Sequence, residues 1–261
     1  RNASILRYSF HYNQVELLGK GSFGEVWSAT HYQRKHEWYA LKIGISKFRG
    51  SRERDAYVRE VKCVAELGDH PNIVKYHRAW QDGGRFWIAM QLCTEGTLET
   101  LIQQEQLTLP KVDAITTAIL KGLSHIHKNK LLHLDLKPDN LFIDAESEIR
   151  IGDFGLCMPV DDWDEQEGDK RYLAPEILNG HAQSSADIFS MGLILYQMLL
   201  GEKELPGNGE GWHYLRSGNV TINVIPEAEQ FALAAQAMLQ FVPEQRPSAA
   251  QMLGEDPTTQ A

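Results

Sequence analysis

The run His133-Leu134-Asp135-Leu136-Lys137-Pro138-Asp139-Asn140, followed by Asp153-Phe154-Gly155, combines a carboxylate, an ammonium, an amide and a second carboxylate. Their spacing is the one that phosphoryl transfer from Mg-ATP requires. The moving phosphoryl group carries several negative charges, so its catalysis is mostly positioning and charge neutralisation. In that chemistry Asp135 orients the acceptor hydroxyl and receives its proton, and Lys137 meets the moving phosphate. Asn140 and Asp153 hold the magnesium ions. His-x-Asp alone is common, and Asp-Phe-Gly alone can close a hairpin. The two together, with Lys-Pro-x-Asn between them, point to phosphotransfer.

A second group of residues bears on the nucleotide. Gly19-Lys20-Gly21-Ser22-Phe23-Gly24-Glu25-Val26 reads GxGxxGxV. Dinucleotide sites use the same glycines, but they need a helix to start at the third one. Here Gly24 leads into the β-prone Glu25-Val26-Trp27-Ser28-Ala29, then a polar turn and another β-prone run. The loop therefore joins two strands and would lie over the phosphates as a flap. Lys42 sits in that next run, Glu37 to Ile43, where a buried ammonium needs a partner. Glu60 falls on the apolar stripe of Tyr57 and Val64 in a helical stretch from Glu53 to Leu67. Singly, each reads as a surface charge; together they suggest a lysine–glutamate pair that holds the α and β phosphates.

These residues need elements to position them. Val15–Leu18, Glu25–Ala29 and Glu37–Ile43 read as strands, and so do Ile73–Trp80 and Phe86–Leu92 around the turn Asp82-Gly83-Gly84. Beyond them the chain is mostly helical, over Val112–Lys130, Ala186–Leu200 and Glu227–Phe241. The change falls at a short hinge, Cys93-Thr94-Glu95-Gly96. The expected fold is α+β and bilobal. A small β-rich lobe with one helix spans about residues 1–93, and a larger α-rich lobe spans 94–261. Together they make one catalytic domain with a ligand cleft between the lobes.

Composition narrows the setting. The 261 residues are 43% hydrophobic and 23% charged, as in an ordinary globular protein. A formal net charge of -9 argues against a nucleic-acid surface and against attraction to anionic membranes. Cys63, Cys93 and Cys157 form no CxxC pair, which fits a reducing, intracellular compartment and offers no metal site. The apolar stretch Ile188–Leu200 is too short and too polar to span a bilayer. The chain opens at Arg1 with no initiator methionine, which reads as a domain excised from a longer protein.

From Val15 to Leu253 the motifs resemble those of the protein kinases. The resemblance implies an adenine site with Val26 and Ala40 above and Leu141 below, beside Leu18. The hinge backbone from Gln91 to Cys93 would supply hydrogen bonds. Met90 would be the gatekeeper, with plain core packing as its alternative role. Ala174-Pro175-Glu176 matches the end of an activation segment, and Glu176 would pair with Arg246. Asp187 would either brace the catalytic loop or simply start its helix.

One branch is resembled in particular. Glu167-Gly168-Asp169-Lys170-Arg171-Tyr172-Leu173-Ala174-Pro175-Glu176 is similar to the EGDxRY-x-APE segment of the Wee/Myt inhibitory cell-cycle kinases. Leu205-Pro206-Gly207-Asn208-Gly209-Glu210-Gly211-Trp212, running into Leu215-Arg216-Ser217-Gly218, is similar to their LPxxGxxW-xxLRxG stretch. His70 to Trp80 also fits. The resemblance implies a cyclin-dependent kinase–cyclin complex as substrate. It also implies an acceptor tyrosine in that kinase's glycine-rich loop, with its neighbouring threonine, and a delay of mitosis. Nuclear residence is implied, with the cytoplasm as the alternative. Phe154 is intact where the animal nuclear branch alters it, and the His-Leu-Asp wording leans toward the membrane-associated or plant-like branches.

Between Gly155 and Tyr172 there is no serine, threonine or tyrosine, and the arginine that receives an activating phosphate in many kinases is replaced by Leu134. Asp161, Asp162, Asp164, Glu165, Glu167 and Asp169 stand there instead, beside Lys170 and Arg171. The expectation is a segment held by fixed charges that needs no activating phosphate. Two alternatives remain at this point. One is a serine/threonine kinase of the translation-initiation-factor type, which shares the Lys-Pro-x-Asn wording. The other is a pseudokinase scaffold, against which stand Lys42, Asp135, Asn140 and Asp153.

Overall fold

This computed structural model describes residues 11–21, 24–44, 51–162 and 168–255, with residues 51–53 as backbone alone. The chain first builds an antiparallel sheet. Strands β1 (Tyr12–Gly21), β2 (Gly24–His31) and β3 (Trp38–Gly44) follow one another, and helix α1 (Ser51–Leu67) crosses before β4 (Tyr76–Asp82) and β5 (Arg85–Gln91). Their order across the sheet is β1-β2-β3-β5-β4. Alternation along β3 sends Tyr39, Leu41 and Ile43 into a small core with Ala29, Trp80 and Ala89. It leaves Ala40 and Lys42 for the opposite face. The β4–β5 hairpin closes through Gly83-Gly84, both at positive φ, as a two-residue primed turn requires.

The rest is mainly helical. Helices α2 (Leu98–Gln103) and α3 (Leu109–Lys128) lead into two small antiparallel ladders. In these, β6 (Leu131–Leu132) pairs with β9 (Met158–Pro159), and β7 (Leu141–Ile143) pairs with β8 (Ile149–Ile151). Helices α4 (Ser184–Leu200), α5 (Gly209–Leu215), α6 (Glu229–Met238) and α7 (Ala249–Met252) complete the lobe. Helix α4 is apolar almost all round, with Ile188, Phe189, Leu193, Ile194 and Leu195 buried, so it forms the lobe's axis. The expected two-lobed α+β architecture is the one observed.

Helix α1 ties the lobes together. Its buried positions, Tyr57, Glu60, Cys63, Val64 and Leu67, recur at the three- and four-residue spacing of one helix face. Tyr57 stacks on Phe86 of β5 at 4.9 Å between ring centroids. Cys63, Val64 and Leu67 belong instead to the large lobe's core.

Helices α2, α5 and α7 were not expected, because four to seven residues are too few to show a period. Helix α3 starts three residues ahead of expectation, with Pro110 in its first turn, where a missing N–H costs nothing. The Glu176–Arg246 pair forms as expected, through two hydrogen bonds of 2.5 and 2.9 Å, with the Arg246 guanidinium 4.7 Å from the Phe189 ring centroid. Replacing Glu176 by alanine leaves that guanidinium buried without its counter-ion. We expect a loss of about 3–5 kcal/mol in urea unfolding, and a loss under about 1 kcal/mol would show that backbone carbonyls suffice.

Candidate active site

Lys42 projects from β3 into the cleft and bridges two elements. Its Nζ lies 2.9 Å from Glu60 Oε1 on α1 and 2.9 Å from Asp153 Oδ1. Glu60 is only 2% exposed and also accepts a hydrogen bond from the Tyr76 hydroxyl at 2.7 Å. Burial disfavours the Lys42 ammonium, but the two carboxylates outweigh it and raise its pKa. Burial likewise works against ionised Asp153, and Lys42 overrides it, holding that carboxyl below its ordinary value. Tyr76 is driven the other way: burial first, then the charges of Glu60 and Asp153, keep its hydroxyl protonated. Tyr76 was not foreseen as part of this group; its one sequence signal is a polar-tipped aromatic in a strand.

The catalytic loop hangs from Asp187. This residue is fully buried, and its Oδ2 and Oδ1 accept the backbone N–H groups of His133 and Leu134 at 2.9 and 2.8 Å. His127 Nε2 lies 2.9 Å from the same Oδ2. Asp187 lies in the first turn of α4 but does not cap it, since Gln183 is the N-cap, and its carboxylate is given to the catalytic loop. Burial raises the Asp187 pKa, but these hydrogen bonds and the neighbouring histidines pull it below the usual carboxylate range. Leu134 adopts a left-handed φ of 62°, which turns the chain so that Asp135 faces the cleft. His133 accepts the Asp135 N–H on Nδ1, so its Nε2 carries the proton toward the Gly152 carbonyl at 3.1 Å.

Asp135 is the meeting point of the remaining polar groups. Its Oδ2 accepts from Lys137 Nζ at 2.9 Å and Asn140 Nδ2 at 3.0 Å, and its Oδ1 accepts from the Asp169 N–H at 3.0 Å. Asn140 Nδ2 also donates to the Asp135 carbonyl at 2.8 Å. That commits the amide nitrogen and leaves the Asn140 amide oxygen, with the second oxygen of Asp153, as hard donors of the kind magnesium takes.

A cavity of about 380 Å³ opens beside Lys42. Leu18, Gly19, Val26 and Ala40 line it from the sheet, and Met90 to Thr94 form its hinge side. Gln91 gives its N–H to the Lys75 carbonyl at 2.8 Å, so that donor is not offered to the cavity. The expected floor residue needs correction. Leu141 is fully buried, and Phe142 lines the cavity instead. Neighbours in a strand face opposite ways, so an error of one residue exchanges the cleft face for the core face.

Of the loop glycines, Gly19 lines the cavity, and Gly21 and Gly24 are not among its lining residues. Gly24 has a different constraint: a Cβ there would sit 2.2 Å from the Ile43 carbonyl oxygen of β3. Ser22 and Phe23 lie outside the described residues.

The acidic segment is only partly engaged. Asp161 and Asp162 are exposed, and Asp164, Glu165 and Glu167 lie outside the described residues. Asp169 is forked by Arg171, at 3.0 and 2.6 Å, and Arg171 reaches Glu204 at 3.2 Å. Burial raises the Asp169 pKa, and the Arg171 hydrogen bonds outweigh it.

A two-lobed fold with this cleft, this lysine bridge and this loop defines a class. The chain belongs to the protein kinase family, whose domain matches residues 12–256. Within it, Wee1-type kinases stand among the similar proteins, as the EGDxRY run suggested. The chain is 34% identical over 260 residues to the membrane-associated tyrosine- and threonine-specific cdc2-inhibitory kinase of Drosophila melanogaster, covering 96% of this chain and 48% of that protein. It is 37% identical over 218 residues to the mitosis inhibitor protein kinase wee1 of Schizosaccharomyces pombe, covering 80% and 25%. Wee1-like protein kinase 2 of Homo sapiens is 31% identical over 274 residues, covering 94% and 48%. The chain thus spans half or less of the length of these relatives. These matches do not favour the translation-factor alternative. Among the described residues no helix is long and apolar enough to cross a membrane.

Asp153, Asp169 and Asp187 all titrate lower in the folded chain than in the unfolded one. Their contribution is therefore complete above the unfolded carboxylate pKa of about 4 and is lost as pH falls through the lower folded values. We expect urea midpoints to drop steeply below about pH 4, and Asp187→Asn to be less stable at neutral pH with a shallower acid limb. Parallel acid limbs for the variant and the parent chain would contradict this.

Proposed function

We propose that this chain is an ATP-dependent protein kinase of the inhibitory cell-cycle type, acting on a cyclin-dependent kinase. The acceptor is an inhibitory tyrosine, together with the neighbouring threonine, in line with the tyrosine and threonine specificity in the name of the Drosophila relative. The observation that carries the reading is the joined set of Lys42, Glu60 and Asp153 beside the cavity, with Asp135, Lys137 and Asn140 in contact on the catalytic loop. Intracellular and nuclear residence belongs to the same reading.

When bound, Mg-ATP supplies the phosphoryl group and a divalent charge that neutralises it. The chain does the rest. Lys42, aligned by Glu60, would bind the α and β phosphates, and Asn140 and Asp153 would hold the metal. Val26, Ala40 and Phe142 enclose the base, with Met90 as gatekeeper. A carboxylate has about four acceptor sites, and Asp135 has three donors on it, two of them on Oδ2. The site left on Oδ1 receives the acceptor hydroxyl and then its proton. Lys137, already on Asp135, stands ready for the phosphate in flight. Leu134 receives no phosphate, and the Arg171–Asp169 fork holds the segment instead, so the chain needs no activating modification.

Mass spectrometry after incubation of the chain with Mg-ATP and a cyclin-dependent kinase–cyclin complex should find phosphotyrosine in the substrate's glycine-rich loop. Phosphate only on serine or threonine elsewhere keeps the kinase and removes this substrate. Asp135→Asn should lower kcat by about 10²–10⁴-fold with ATP binding retained; full turnover in that variant would refute the role given to Asp135. Chain made without any co-expressed kinase, and carrying no phosphate by intact mass, should already be active.

A further inference from the structure

Arg216, directly after α5, is a buried cation with an unusual set of partners. It is 4% exposed, and among the described residues no carboxylate pairs with it. Its guanidinium hydrogen bonds all go to backbone carbonyls. Nε donates to the Leu173 carbonyl at 3.0 Å, and Nη2 to those of Lys170 at 2.9 Å and Arg171 at 3.1 Å. Nη1 donates to the Trp212 carbonyl at 3.2 Å, in the last turn of α5, where a helix favours positive charge. The Trp212 ring lies under the guanidinium at 4.0 Å, and its Nε1–H donates to the same Lys170 carbonyl at 2.9 Å. Burial without a counter-ion draws the Arg216 pKa down to about 10, so the group stays charged at neutral pH. An ion buried this way is costly, and a merely structural role would be met more cheaply by an apolar residue.

The strip it grips adjoins the reacting centre. The Asp169 N–H is on Asp135 Oδ1, the oxygen with an acceptor site left. Gly168 is pressed so close that a Cβ there would lie 2.4 Å from the Leu134 carbonyl oxygen and 3.0 Å from Asp135 Oδ1. On its far side the strip is tied to α4, where Ser190 Oγ donates to the Tyr172 carbonyl at 2.8 Å and the Tyr172 hydroxyl donates to Gln197 at 2.7 Å. Arg216 and Trp212 thus hold the outer edge of a short backbone strip whose inner end sets the Asp135 carboxylate.

The geometry points to Arg216, backed by Trp212, as the positioning residue for the protein acceptor. It fixes the 170–173 backbone beside Asp135, so that the acceptor hydroxyl meets Oδ1, and it touches neither nucleotide nor acceptor. The inference rests on the phosphotransfer reading above and extends it to the acceptor side of the site. A guanidinium fork is needed because four carbonyls diverge around it; a lysine ammonium has the charge without the span.

Arg216→Lys keeps the cation and gives up the fork. Trp212→Phe keeps a ring beneath the guanidinium and deletes the N–H to Lys170. With Mg-ATP and the cyclin-dependent kinase–cyclin complex, we expect Arg216→Lys to lower kcat/KM for the acceptor by about 10- to 100-fold, and Trp212→Phe by a few-fold. KM for ATP should stay within about twofold in both, because the nucleotide side is untouched. Hydrogen exchange should quicken in residues 168–173 and stay unchanged around Lys42 and Asp153. Unchanged acceptor kinetics with unchanged exchange would overturn the inference. So would parallel losses on ATP and acceptor together with a lowered thermal midpoint, which mark a structural role. If the parent chain ignores the complex but phosphorylates myelin basic protein, the substrate reading falls and the same comparison is made on that acceptor. If Arg216→Lys does not fold, the half-buried Trp212→Phe decides, through exchange at 168–173 and the split between acceptor and ATP kinetics.

Discussion

Burying the Lys42 ammonium between the sheet and the large lobe is unfavourable unless carboxylates come within reach, and Glu60 and Asp153 both stand 2.9 Å away. Each partner comes from a different part of the chain: β3, α1 and the loop after β8. None of the three charges is well placed without the other two. Meeting that demand sets the rotation of α1 about its axis, the depth of β3 and the path of the chain through Asp153, whose φ of 56° is itself left-handed. The next layer follows from these. Phe154, fully buried, packs in steep, near-T-shaped pairs with Tyr76 and His133, at centroid distances of 6.4 and 5.1 Å. His133 in turn is held by Asp187, so the polar bridge and the catalytic loop share one packed column.

A second principle runs through the large lobe: its buried charges are used to hold backbone. Asp187 takes two N–H groups of the catalytic loop, Arg246 takes three carbonyls around the end of α6 and the start of α4, and Arg216 takes carbonyls of the strip after Asp169. Loops have no ladder of their own to satisfy these groups, so a buried ion supplies the partners that regular structure would otherwise provide. The arrangement lets irregular segments be as well fixed as helices where the chemistry needs them.

How much of this could be read in advance depended on the kind of signal. The phosphotransfer residues were legible because the reaction dictates residue type and spacing together, as in Asp135, Lys137 and Asn140. Glu60 was legible as an acid on an apolar stripe, an inconsistency that only a buried partner resolves. Leu141 was misjudged for Phe142, since a three-residue strand such as β7 contains too few alternations to fix which neighbour faces the cleft. Asp187 was ambiguous, because a carboxylate in the first turn of a helix looks alike whether it caps the helix or reaches back to His133. Arg216 lay within a recognisable run, but its partners are carbonyls, which every residue carries and which therefore leave no trace in a sequence.

The two cores of the molecule meet through α1. Tyr57, near one end, rides on Phe86 of the sheet, whereas Cys63, Val64 and Leu67, at the other end, are rooted in the large lobe. Glu60 lies between these attachments. The helix is therefore held on both sides of its working contact. The lysine's alignment is thus set where the two cores join, and a shift of either core bears on the same 2.9 Å contact.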